Sequence, residues 1–133
     1  MISMPELIHA PIPLESLPRD QRDNLAVLLE RVNQIRALWG KPMTVTSGYR
    51  TMADHLRIYA EKGITDPAKI PMQSKHLYGQ AVDISDPDLA ITAWLKANPQ
   101  ILEDAGLWCE DGNSNWLHLQ NQPPRSGNRW FLP

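Results

Sequence analysis

Ser74-Lys75-His76-Leu77-Tyr78-Gly79-Gln80-Ala81-Val82-Asp83 is the stretch from which the fold is read. Its end alternates: a strand through Ala81-Val82-Asp83-Ile84 puts Val82 and Ile84 on one face and Ala81 and Asp83 on the other. Asp83 thereby faces away from the core-seeking aliphatics. Gly79 suits a tight turn that folds His76 back toward Asp83, and the small Ala81 leaves room beside them. The alternation recurs in Trp116-Leu117-His118-Leu119-Gln120, with Leu117 and Leu119 on one side and Trp116, His118 and Gln120 on the other. Two neighbouring antiparallel strands would present Asp83 and His118 on one concave surface.

These residue types point to a metal. A catalytic zinc takes three protein ligands from His nitrogen and Asp or Glu oxygen and keeps its fourth tetrahedral position for water. His76, Asp83 and His118 meet that count without a thiol. They come from two remote segments, so metal binding and folding would be coupled.

Ahead of this stretch stands Ser47-Gly48-Tyr49-Arg50, and behind it the Trp116-Leu117-His118 strand. In this order, the Ser-x-His-x-x-Gly-x-Ala-x-Asp pattern and its two companions resemble the zinc D-alanyl-D-alanine carboxypeptidase family. That family also includes D-Ala-D-Ala dipeptidases and phage L-alanyl-D-glutamate endolysins. The resemblance spans roughly residues 40–120. It implies a hedgehog-like α+β fold, a small antiparallel sheet flanked by helices with one zinc ion in a cleft on the sheet. It also implies that His76, Asp83 and His118 are the zinc ligands, that Arg50 stabilises the substrate or its oxyanion, and that Ser74 contacts the peptide. Tyr78 and Trp116, next to the ligands, are candidates to line the substrate groove.

In most members a carboxylate, or sometimes a His, stands three residues before the last ligand and serves as general base. Here that residue is Asn115. An amide can orient a water but has no useful proton affinity near neutral pH. Glu110 and Asp111, on a turn-rich segment a few residues earlier, are the candidate substitutes. The expected reaction is hydrolysis of a D-amino-acid-containing peptide bond of bacterial peptidoglycan, of carboxypeptidase or endolysin type. Two other readings stand beside it: a zinc-binding recognition module for cell wall that has lost turnover, and a virion-associated structural component.

Composition frames this without deciding it. The chain has 133 residues, enough for one domain with a real core, and is expected to act as a monomer. A formal net charge of -2 gives no reason to expect a nucleic-acid partner. No apolar run approaches the roughly 20 residues that cross a bilayer, and the start lacks the basic and apolar regions of a signal peptide. A bacterial or phage protein of this kind would reach the wall by export, lysis or virion delivery. The single Cys109 excludes an internal disulfide and reads as a small buried residue.

Periodicity supplies the remaining elements. Residues 1–13 are Pro-rich and read as a surface arm. From Arg19 to Trp39, Leu25, Leu28, Leu29, Val32, Ile35 and Leu38 mark one face of a helix that Gly40 ends. A short strand at Met43–Thr46 leads to Ser47. Thr51–Lys62 reads as a helix with Met52, Leu56 and Tyr59 inward. Asp86 is placed to cap a helix whose first turn contains Pro87, a short helical stretch runs to Ala105, and Leu107–Cys109 is a strand. The tail, residues 121–133, is expected to close over the core through Trp130 and Phe131. Taken singly, His76 reads as a loop histidine, Asp83 as a strand end, His118 as a sheet histidine and Arg50 as a surface cation; their shared pattern overrides this. His9 and His55 fall outside any ligand spacing.

Overall fold

The computed structural model describes residues 1–8 and 12–132; His9, Ala10, Pro11 and Pro133 lie outside the described residues. Helix α2 is the scaffold, numbered after a short N-terminal α1 (Met4–Ile8) and spanning Arg19–Trp39. Leu25, Leu28, Val32 and Ile35 form its buried stripe. Gly40 ends it in the left-handed region (φ 73), with its N–H donating to the Arg36 carbonyl at 3.1 Å. Leu38 departs from the expected stripe and is exposed. Trp39, one residue on, closes the stripe instead by packing on Trp94, ring centroids 4.9 Å apart.

Five strands, β1 (Val45–Ser47), β2 (Ala81–Ser85), β3 (Trp108–Glu110), β4 (Trp116–Gln120) and β5 (Trp130–Phe131), form one sheet in the order β1-β2-β4-β3-β5. The α+β class is as expected. The sheet is mixed, however, where an antiparallel one was expected: β5 runs parallel to β3, while the other three pairings are antiparallel. After β4 the chain turns back once and lies on the far side of β3, so it must share β3's direction. Val82, Ile84, Leu117 and Leu119 are buried on one face of the sheet and join the α2 stripe in a single core. Each such side chain contributes about 1.5–3 kcal/mol by leaving water.

The N-terminal residues, expected on the surface, enter that core. Ile2, Leu7 and Ile8 are buried. Asn33 of α2 clasps Ile2 from both sides, accepting from its N–H at 2.8 Å and donating to its carbonyl at 2.9 Å. The apolar side chains of this segment decide where it rests.

Helix α3 (Met52–Glu61) starts at Thr51, whose hydroxyl accepts from the Asp54 N–H at 3.1 Å. It is turned about one residue from the expected face. Met52 and Leu56 are exposed, and His55 is the buried residue. The His55 Nε2–H donates to the Pro71 carbonyl at 2.8 Å, which makes a polar ring acceptable inside. Helices α4 (Ala90–Ala97) and α5 (Gln100–Ala105) follow β2. Asp86 caps α4 from outside its first turn, accepting from the N–H groups of Ile91 and Thr92 at 3.0 Å each and from the Thr92 hydroxyl at 2.6 Å. Cys109 is fully buried, and burial together with the Asp111 and Glu110 carboxylates pushes its thiol above the usual range, so it serves packing rather than ligation.

Candidate metal centre

The strand register builds the site. In the antiparallel β2–β4 pair, Asp83 lies directly opposite His118, so their side chains leave the sheet on the same face. The opposite face carries the core aliphatics. His76 arrives from a single 3₁₀ turn, Lys75–Tyr78, that Gly79 ends in the left-handed region (φ 71) before β2 begins. A Cβ at Gly79 would press on Leu25 of α2 at 2.8 Å, so glycine is required there for both reasons.

One candidate ligand atom from each of His76, Asp83 and His118 lies within 4.8 Å of the other two. His76 Nε2 stands 3.4 Å from Asp83 Oδ2, and His118 Nδ1 stands 2.9 Å from Asp83 Oδ1. A tetrahedral zinc with bonds near 2.0–2.1 Å needs donors about 3.3–3.4 Å apart, a spacing this cluster reaches with small adjustments. The outer hydrogen bonds fix the tautomers. His76 Nδ1–H donates to the Gly48 carbonyl at 2.8 Å, which leaves the Nε2 lone pair facing Asp83. The Gln120 side-chain amide donates to the Gln122 carbonyl, so its Oε1 accepts from His118 Nε2–H at 3.0 Å. A neutral His118 therefore turns its Nδ1 lone pair on a carboxylate oxygen. Only a cation between them, or a second proton on the ring, resolves that contact. Two imidazole lone pairs and one carboxylate converging on one point are the donor set of zinc, and the residues fit it.

Without a metal, a proton takes the cation's place. Burial opposes charge on His118, yet the hydrogen bond and the negative charge of Asp83 outweigh it and raise the His118 pKa. Burial likewise opposes charge on Asp83, and the hydrogen bonds and charge of His118 and His76 outweigh it, holding the carboxyl well below the usual range.

Around this centre is a cavity of about 390 Å³ lined by Arg50, Ser74, Glu110 and Trp116 among others. Arg50 follows β1. Its Nη2 lies 3.8 Å from Asp83 Oδ2, and its Nε–H donates to Ser47 Oγ at 3.0 Å. The Gly48 site is equally constrained, since a Cβ there would collide with the Leu7 carbonyl that accepts the Tyr49 N–H at 2.7 Å. Glu110 enters from the end of β3. With the Asn113 amide oriented to satisfy both neighbours, its nitrogen donates to Glu110 Oε1 at 3.1 Å and its oxygen accepts from Trp116 Nε1 at 3.2 Å.

Three residues singled out from sequence stand elsewhere. Asp111 is held by Lys96 Nζ at 2.8 Å, a hydrogen bond that lowers its pKa, and it lines the neighbouring pocket beside α4, which shares Glu110 and Trp116 with the cavity, but not the cavity itself. Asn115 is exposed ahead of β4, and its carbonyl accepts from the Asp86 N–H at 2.9 Å. Tyr78 is half-buried, with its carbonyl accepting from Asn24 Nδ2 at 3.0 Å, and does not line the cavity. Sequence reasoning passed over Gly48 and Gln120, the outer partners of the two histidines. Gln120 carried a signal, its place on the same strand face as His118; a backbone carbonyl such as that of Gly48 carries none.

A mixed sheet with two His and one Asp gathered in a cleft on the face away from the core is an arrangement suited to a metallopeptidase. The Peptidase M15 family model matches residues 15–120, and the chain belongs to that family. Among solved structures, the crystal structure of the Serratia marcescens L-Ala D-Glu endopeptidase ChiX shares its fold, with a TM-score of 0.51 at 19% identity over 78% of this chain and 87% of that one. No curated protein matches the sequence closely enough to count as a relative.

Proposed function

We propose that this protein is a zinc-dependent peptidase that hydrolyses peptide bonds of bacterial peptidoglycan next to a D-amino acid. The observation that carries the reading is the convergence of His76 Nε2, His118 Nδ1 and the Asp83 carboxylate in the lining of a cavity that also holds the Arg50 guanidinium and the Glu110 carboxylate. The fold it shares with an L-Ala D-Glu endopeptidase supports the choice of substrate.

His76, Asp83 and His118 would hold the zinc, which when bound supplies Lewis acidity and a water acidified toward pKa about 7. Glu110 accepts the proton of the attacking water and returns it to the leaving amine. Asn113, itself held by Trp116 Nε1–H, donates to that carboxylate and keeps it in place. Arg50 offsets the negative charge that grows on the scissile carbonyl oxygen, while Ser74 and Trp116 contact the peptide. Gly48 and Gln120 keep both imidazoles in the tautomer that ligation needs.

The test is muropeptide hydrolysis followed by mass spectrometry. Chelation should abolish product, and added zinc should restore it; turnover that survives metal removal overturns the mechanism. Asn115 favours one other reading, a zinc-bound recognition module without turnover, because the position that usually supplies the base bears an amide. That module would bind the muropeptide with zinc present and release no product.

A further inference from the structure

The mechanism leaves two cations of the cavity unused. Lys62, just past the end of α3, and Lys75, at the start of the turn that carries His76, both line it. Among the described residues neither ammonium has a carboxylate within 4.0 Å, whereas Arg50 lies beside Asp83. Lys62 is set on a platform: its Nζ lies 5.0 Å from the centre of the Tyr59 ring, and Tyr59 packs on the buried His55 at 5.0 Å. His55 in turn is bonded to the Pro71 carbonyl, which ties the helix to the segment leading into Lys75. The cavity's own carboxylates are elsewhere, Asp83 in the metal centre and Glu110 on β3, on the far side of β4 in the sheet. Charge is therefore divided across the cavity, with unpaired cations along the α3 side and the acid at the β3 side.

We infer that Lys62 and Lys75 form a carboxylate-binding subsite that selects peptides with a free carboxylate near the scissile bond; the choice of a peptide ligand rests on the peptidase reading. Two chemical sources fit. A D-glutamyl residue whose chain continues through one of its two carboxyls leaves the other ionised, and a peptide ending close to the cut presents its terminal carboxylate. Either would be drawn to the two ammonium groups and would set the direction in which the peptide lies across the zinc. Neutralising that carboxylate as an amide keeps its shape and removes its charge.

The experiment uses zinc-loaded protein and three synthetic L-Ala-D-Glu-containing peptides: the free acid, the form amidated at the D-Glu carboxyl, and the form amidated at the C-terminus. Initial rates give kcat and KM where a peptide is cleaved, and tryptophan fluorescence titration gives Kd where it is not. Lys62→Met and Lys75→Met should each weaken the free acid about fivefold in KM or Kd with kcat held. One of the two amidations should weaken wild type to a similar extent and abolish the effect of both substitutions, and that amidation identifies the carboxylate recognised. The subsite is overturned if both variants handle all three peptides as wild type does, or if neither amidation matters. Absence of hydrolysis with the binding differences intact would overturn the peptidase reading alone.

Discussion

At the scale of single residues, the two candidate bases have separated. Glu110 lines the cavity of the metal centre as well as the neighbouring pocket beside α4, whereas Asp111 lines only that second pocket and is occupied by Lys96. Glu110→Gln keeps the shape and the Asn113 contact but loses the proton affinity. It should lower kcat by about 100-fold or more with zinc content unchanged, while Asp111→Asn should stay near wild type. Wild-type kcat in Glu110→Gln, with one zinc bound, would remove Glu110 from the mechanism. The convergence of His76, Asp83 and His118 was legible in the sequence because side-chain types and their alternation along a strand can be read directly. The choice between Glu110 and Asp111 was not, because it depends on where β3 ends and on Lys96, a residue of another element. Gly48 was equally hidden, since its contribution is a carbonyl that every residue has.

At the scale of elements, what could be read follows the strength of the local pattern. Strands β2 and β4 alternate over five residues each, and α2 repeats its apolar stripe through several turns, so their faces followed from sequence. Strand β5 has two residues and no period, and it exists because β3 offers a free edge. Helix α3 offered Met52, Leu56 and Tyr59 as an apolar face, but a polar ring with a partner at Pro71 took the inside. Asp86 shows how much one side chain can hold. It is buried and accepts three hydrogen bonds at the start of α4, so Asp86→Ala leaves those donors without their acceptor. The loss should be about 2–3 kcal/mol, read as a lower urea midpoint with an unchanged slope. Zinc content should persist, since Asp86 ligates nothing. A midpoint equal to wild type would show that α4 does not depend on this cap.

At the scale of the whole molecule, the centre joins β2 and β4 to the turn before β2, so its charge state bears on global stability. The signs can be worked out for the metal-free protein. His118 has a raised pKa when folded, so its stabilisation is full below the unfolded value of about 6.5 and fades as pH rises through the folded value. Asp83 has a lowered one, so its stabilisation is full above about 3.9 and fades as pH falls through the folded value. Both act together between about pH 4 and 6.5, and the contribution of this cluster should be greatest there. Zinc reverses the trend at the upper end, because ligation needs the His118 Nδ1 lone pair and must displace its proton. Free zinc at about 100 times its Kd adds about 2.7 kcal/mol, equivalent to a Tm rise of about 10 °C for a chain of this size. At one fixed zinc concentration the rise should therefore be small near pH 5.5 and grow toward pH 8. His118→Ala should abolish the rise at every pH, because two ligands hold zinc far less tightly than three. Calorimetric scans across that range decide the matter: a zinc-induced shift that is the same at pH 5.5 and pH 8, or that survives in His118→Ala, would mean that zinc binds somewhere other than between these two strands.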